Sequence, residues 1–327
     1  MQIFTAPNYN FIRWRWPALA LSLLVIVAGA VTMASRGGLP LGIDFSGGTI
    51  VVVKFDQTVS EDQVRRAVTG LAGEVGVQQY GAPEDGEWLV RLPQTQVVEQ
   101  GASLEQGSQQ IVQSLQKAGL PSFEVLSTEI VGPVIGADLQ QRGIYATLAS
   151  LIAITLYIAI RFRFSFAVGA IAATFHDIFV TLAFLTFFGY ELSLNVVAAI
   201  LAITGYSVND TIVVFDRVRE NLRSMRRDAL DQVVNTSVNQ TLARTVITAG
   251  TTFLAVLSLY LFGGEVLQGF AFTMLIGIVS GTYSTVFIAS AIAILLSQRR
   301  RAVTAATAAP SRPDARPGRK TRGARAS

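Results

Sequence analysis

Six stretches of the chain are apolar for long enough to cross a hydrocarbon core, which takes about 20 residues of helix. They run roughly over 17–34, 142–160, 164–188, 192–215, 242–262 and 267–296. Between the first and second lies a long polar stretch, 35–141, in which hydrophobic residues fall in short runs. Its pattern predicts strands over 49–55, 75–82, 87–92 and 122–131, and helices over 61–71 and 104–118. Each helix opens on a capping box, Ser60 with Gln63 and Ser103 with Gln106. The turn Pro83-Glu84-Asp85-Gly86 joins the two middle strands as a hairpin. The order βαββαβ is the ferredoxin-like arrangement, a fold that hosts many functions and specifies none. The expected architecture is therefore an α-helical bundle of six transmembrane helices with an α+β domain outside it.

Two shorter patterns add detail. Residues 217–240 carry alternating charge and then Ala229, Val233 and Val234 at helical spacing, which predicts an amphipathic helix on the membrane surface. In the sixth span, Gly277 with Gly281 and Ser280 with Ser284 place small residues four apart, the spacing for close helix packing. Ala28-Gly29-Ala30 resembles a signal-peptidase site, but the apolar run continues to Ala34, long enough to stay in the membrane.

Composition agrees with this picture. Hydrophobic residues make up 51% of the 327 and charged residues 15%, whereas a soluble domain carries about a quarter charged. Basic residues set the orientation. Arg13 and Arg15 precede the first span, and Arg161 and Arg163 separate the second from the third. Arg217, Arg219, Arg223, Arg226 and Arg227 follow the fourth, and Arg299, Arg300 and Arg301 follow the sixth. The alternate connections, around Glu191 and Gly263-Gly264-Glu265, carry no basic residue. Both termini are expected in the cytoplasm of a cell whose plasma (inner) membrane holds the chain. Residues 35–141 hold 6 Lys/Arg against 13 Asp/Glu, while the expected cytoplasmic segments (1–16, 161–163, 216–240, 297–327) hold 18 against 5. Such an inner face suits anionic lipid headgroups. The tail 299–327, rich in Arg, Ala, Pro and Gly, reads as a disordered lipid and topology anchor with no specific nucleic-acid partner.

The chain has no cysteine and one histidine, which excludes thiol chemistry, disulfides and a multi-histidine metal site. No phosphate-binding loop or serine–histidine arrangement occurs. No enzymatic activity and no cofactor are expected.

The informative residues are polar ones inside the spans, where a charged group costs at least about 2.5–3.5 kcal/mol to insert. The third span holds His176-Asp177, the fourth Asn209-Asp210-Thr211, and the fifth opens on a Thr-rich face around Arg244. At 1.5 Å per residue, Asp210 and Arg244 both lie roughly 8–9 Å inside the same membrane face. Helical spacing gathers Tyr206 and Ser207 with Asp210, and Thr241, Thr248 and Thr251 with Arg244. An Asp210–Arg244 pair could simply fasten two helices, and a buried histidine can be a satisfied core residue. A proton path accounts for more of the residues: a proton and Arg244, which cannot itself release one, would compete for Asp210. Asp177 and Asp210 could also suggest an intramembrane aspartyl protease. The Gly-x-Gly-Asp setting is missing, however, and the two carboxylates lie at different depths.

Three motifs in order resemble the SecF family of protein-export membrane subunits. They are "LGIDFSGGT" (41–49), "GYSVNDTIVVFDRVREN" (205–221) and "LARTVITAGTTFLAVLSLYLFGG" (242–264). The resemblance covers about 10–298 and leaves the basic tail outside. It implies one half of a resistance-nodulation-division transporter core, with a SecD partner supplying the other half. It further implies association with the SecYEG channel, with YajC and YidC as further partners. Preprotein substrates would be drawn or released on the outer side by the proton-motive force, with H⁺ as the coupling ion. The family's essential intramembrane carboxylate and arginine fall on Asp210 and Arg244. His176-Asp177 matches a His-Asp pair often seen in the third span. Asp44, Gly47 and Gly48 belong to the family signature, and a structural role suits them best, the glycines permitting a tight junction. A half-subunit of a small-molecule or lipid exporter, and a passive scaffold of the translocon, remain the alternatives.

Overall fold

The computed structural model describes residues 7–71, 75–80, 85–93 and 104–307. A 3-10 turn at Ile12–Trp14 leads into α1 (Arg15–Ser35), and a short α2 (Ile43–Ser46) follows just before the outer domain. That domain follows as β1 (Gly48–Phe55), α3 (Glu61–Val68), β2 (Gly76–Tyr80), β3 (Glu87–Pro93), α4 (Leu104–Lys117) and β4 (Phe123–Val131). Its strands form one antiparallel sheet in the order β2-β3-β1-β4. This is the ferredoxin-like arrangement, and each element lies within a few residues of its expected position. Strand alternation turns Val51, Val53 and Phe55 of β1 and Trp88, Val90 and Leu92 of β3 toward the helices. Val64 and Val68 of α3 and Ile111 and Leu115 of α4 close the core from the other side. At the start of α3, Gln63 Oε1 accepts from the Ser60 backbone N–H at 2.9 Å, so that capping box forms. Ser103 of the second box, and Pro83 and Glu84 of the hairpin turn, lie outside the described residues.

Six helices are long and apolar enough to span a membrane, the first at Ile12–Ser35. The others are α5 (Pro133–Arg161), α6 (Phe164–Phe188), α7 (Leu194–Ser224), α8 (Leu230–Phe262) and α9 (Glu265–Ser284) with its continuation. The sixth span passes through a π-helical turn, Thr285–Ala289, into α10 (Ser290–Thr307). Spans three and six form the middle of the bundle, 56% and 67% buried over their most apolar stretches, whereas spans two and five are 6% and 11% buried. The second and fifth spans thus lie at the outside of this chain.

Three expectations are corrected. First, 217–240 does not form a separate surface helix. α7 runs on to Ser224 and α8 starts at Leu230, so two spans project as a helical hairpin. Its apolar stripe, Val218 with Val233 and Val234, packs helix on helix, and Asn221 Nδ2 donates to Ser237 Oγ at 2.9 Å and Gln240 Oε1 at 2.8 Å. Burying that stripe against a neighbouring helix satisfies the hydrophobic spacing without lipid. Second, α5 begins at Pro133, ahead of the 142 expected. Its first turns stand outside the apolar stretch and meet α2, where a side chain at Gly136 would come within 3.3 Å of the Gly47 nitrogen. Third, the tail is helical as far as Thr307; residues 308–327 lie outside the described residues.

Candidate functional site

At the centre of the bundle, α6 buries Asp177, which is 2% exposed. Its Oδ2 accepts from Ser207 Oγ on α7 at 2.5 Å and from Ser284 Oγ on α9 at 2.8 Å. Its Oδ1 accepts from Ser280 Oγ at 2.7 Å and lies 3.0 Å from His176 Nδ1. Four donors therefore meet a carboxylate with four lone-pair positions. The i, i+4 spacing of Ser280 and Ser284 puts both hydroxyls on the face of α9 that packs against α6.

The network continues outward through His176. Its Nε2 lies 2.9 Å from Ser22 Oγ on α1, and Ser22 donates to Tyr283 Oη at 3.2 Å. Tyr283 Oη donates to the Ala18 carbonyl at 2.6 Å, and its ring stacks on the imidazole with centroids 6.0 Å apart. With Nδ1–H pointing at Asp177, Nε2 can accept from Ser22, or it can carry a proton and donate while Ser22 turns its own hydrogen to Tyr283. Ser22 has a single hydrogen and Tyr283 spends its own on Ala18, so Ser22 donates either to Nε2 or to Tyr283 and not to both. The network joins spans one, three, four and six.

Asp210 occupies a second centre, one turn of α7 away, between spans four and five. It is half-buried, its Oδ1 accepts from Thr245 Oγ1 at 2.8 Å, and its Oδ2 is buried with no hydrogen-bond partner among the described residues. Arg244 is exposed and forms no direct salt bridge with Asp210, although its charge still acts on that carboxylate. The expected direct contact is therefore replaced by a longer-range one. Matching depths placed the two residues at one level, but neighbours on a helix point about 100° apart, as 3.6 residues per turn requires. On α8 the buried positions are Val238, Thr241 and Thr245, and Arg244, next to Thr245, lies on the exposed side.

The remaining candidates divide between the two centres. Ser207 faces Asp177 and not Asp210, because it shares the inward side of α7 with Thr211, whose Oγ1 lies 2.8 Å from Thr285 Oγ1 on the π turn. Tyr206 shares a side with Asp210 and packs against the apolar cluster of Val256, Ala271, Leu275 and Ile278. Asn209 is exposed. The Thr248 hydroxyl is spent within its own helix on the Arg244 and Thr245 carbonyls, at 2.9 and 3.1 Å. Ser22, Thr245, Ser280, Tyr283 and Ser284 belong to these centres but were not singled out in the sequence as polar partners. The four-residue spacing of Ser280 and Ser284 was visible there as a packing signal only.

Asp44, Gly47 and Gly48 form a junction between the outer domain and the bundle. Asp44 Oδ2 accepts from the Leu194 N–H at the start of α7 at 2.8 Å, beside the N-cap Ser193. Backbone bonds pair Gly42 with Leu192 and Leu192 with Pro40 at 2.8 and 2.7 Å. Arg91 on β3 pairs with Glu191 and donates to the Leu41 carbonyl at 2.6 Å and Ser46 Oγ at 2.8 Å. Gly47 has φ of +68° and Gly48 of +138°, backbone conformations that side chains disfavour.

Fold and site together define a class: a multi-pass membrane protein with a ferredoxin-like domain clamped to one end of six spans and ionisable residues within them. Two family models match, "Protein export membrane protein SecD/SecF, C-terminal" over residues 110–299 and "SecD/SecF GG Motif" over 36–59. The chain belongs to the SecD/SecF family of protein-export membrane proteins. It is 40% identical to the protein translocase subunit SecF of Escherichia coli O157:H7, over 89% of each chain. It is 40% identical to that of Rhodothermus marinus, over 93% of this chain and all of the relative. Among solved structures it resembles SecDF of Thermus thermophilus, a translocon-associated membrane protein, at 34% identity and TM-score 0.78. The match covers 90% of this chain and 39% of that one, so the present chain spans well under half of the SecDF polypeptide. A SecDF structure in the super-membrane-facing form matches with TM-score 0.66 and 35% identity, again over 41% of its length.

Proposed function

We propose that the chain is the SecF-type half of a protein-export complex that uses the proton-motive force to promote preprotein translocation and release on the outer side. SecD would supply the other half, with SecYEG as the channel and YajC and YidC as further partners. The chain would lie in the plasma (inner) membrane with both termini cytoplasmic, and the coupling ion would be H⁺. The observation that carries this reading is Asp210: a membrane-embedded carboxylate with one oxygen unpartnered, at the edge of a fifth span that is 11% buried in this chain. An unpaired buried acceptor is costly, and a proton, or Arg244 swung round by helix rotation, would satisfy it. A membrane potential contributes about 2.3 kcal/mol per charge per 100 mV, enough to bias such an exchange. The exposed side of α8, with Arg244, Thr248 and Thr251, is left for the partner half.

Asp210→Asn should abolish the potential-dependent part of late preprotein export in energised inverted vesicles while the complex still assembles. Potential-dependent export at the wild-type rate would rule out the proton coupling. Loss of assembly would instead mean that Asp210 is a fastener between helices. Transport of a small apolar substrate with unchanged protein export would point to the exporter alternative.

A further inference from the structure

At the end of the bundle that carries the two chain termini, a cavity of about 530 Å³ opens between spans two, three and four. It plays no part in either carboxylate centre. Its floor is aromatic: Phe215 is 1% exposed and meets Phe166 edge-on at 5.1 Å and Phe162 at 5.9 Å. Its walls carry Arg161 from the end of α5, Arg163 from the two-residue link to α6, and Arg219 and Arg223 from one side of α7. Among the described residues, the only carboxylate tied to this set is Asp216, which accepts from Arg161 Nη2 at 2.8 and 2.9 Å and holds that guanidinium over the Phe162 ring. The guanidinium groups of Arg163, Arg219 and Arg223 form no hydrogen bond or ion pair with any described residue. The N-terminus of the 25-residue α6, which no side chain caps, starts at the same place and adds its partial positive charge.

With Arg161 matched by Asp216, the other three arginines around the cavity repel each other unless a further anion sits among them. The guanidinium fork matches phosphate oxygens in pairs. The aromatic floor lies on the side of the apolar spans, where acyl chains begin, and the arginines lie on the side of the headgroups. We infer that this cavity is a specific site for the phosphodiester headgroup of an anionic phospholipid, held by Arg163, Arg219 and Arg223 with its chains against Phe162 and Phe166. The inference needs only the placement of the chain in a membrane and stands apart from the proton coupling proposed above.

The test is lipid retention by the full chain in mixed micelles of equal phosphatidylglycerol and phosphatidylcholine, counted by native mass spectrometry. The unaltered chain should keep phosphatidylglycerol in preference. R219Q/R223Q should lower that retention roughly 30-fold, the order expected for removing two surface arginines. R226Q/R227Q removes the same charge outside the cavity and should leave it unchanged; the single R163Q should lower it in a chain that keeps all of its α7 contacts. Equal losses in the two double variants, or no headgroup preference, would reduce the site to general surface charge. Displacement by millimolar inorganic phosphate would assign the cavity to a free anion instead. Normal lipid retention with loss of a co-purifying protein from R219Q/R223Q would make it a protein dock and overturn the lipid assignment.

Discussion

Asp177 and Asp210 are two intramembrane carboxylates with opposite surroundings, and single substitutions should separate them. Asp177 is enclosed by Ser207, Ser280, Ser284 and His176. Asp177→Ala would strand these donors in the middle of the bundle, a loss on the order of 3–5 kcal/mol for a broken buried network. Its thermal midpoint in detergent should fall well below that of the unaltered chain. Among the described residues Asp210 has one donor, Thr245, and an unpartnered oxygen, so Asp210→Ala should shift the midpoint far less. Equal shifts would mean that the two carboxylates share one structural role. His176→Gln is the intermediate case: it removes the link from Asp177 to Ser22 and should loosen α1 while leaving the three serines in place.

Among the elements, the sixth span depends on close approach. A methyl group at Gly169 of α6 would lie 2.6 Å from the Ala289 carbonyl on the π turn and 3.3 Å from the Ala293 nitrogen. Both are backbone atoms and cannot rotate away. Gly169→Ala should therefore cost about 1–3 kcal/mol, the range for overpacking, read as a lower midpoint in detergent. Gly250→Ala on α8 is the contrast, since nothing in this chain lies within 4 Å of the added methyl. In the isolated chain it should be neutral or gain about 0.5–1 kcal/mol through helix propensity. If it instead disrupts co-purification with a SecD chain, that side of α8 is the seam between the halves. The π turn itself is closed by Ser290 Oγ donating to the Thr285 carbonyl at 3.0 Å, a local switch of register that no hydropathy pattern reports.

For the molecule as a whole, the junction around α2 decides whether the outer domain and the bundle move together. Arg91 reaches from the sheet to Glu191, to the Leu41 carbonyl and to Ser46. Arg91→Ala should speed hydrogen–deuterium exchange at 41–47 and 191–194 while the core around Val51, Val90 and Leu115 keeps its protection. Unchanged exchange at the junction would show that the Asp44 contact and the Gly42–Leu192 pairing are sufficient. Lys54→Met, which removes the part-buried cross-strand pair with Glu87 on the sheet, should change neither.

Much of this was legible in the residues alone. The apolar runs located six spans, period-two alternation found the four strands, and Ser60 with Gln63 marked the start of α3. A rise of 1.5 Å per residue placed Asp210 and Arg244 at one level. All of these depend on distance along the chain, which local sequence encodes. What needed the tertiary structure is rotation about each helix axis, which is set by the helices packed against it and has no one-dimensional signature. Rotation turns Thr245 toward Asp210 and Arg244 away, and it sends Ser207 to Asp177. For the same reason the stripe at Val218, Val233 and Val234 faces a neighbouring helix in a hairpin, where the spacing alone suited a lipid surface equally well.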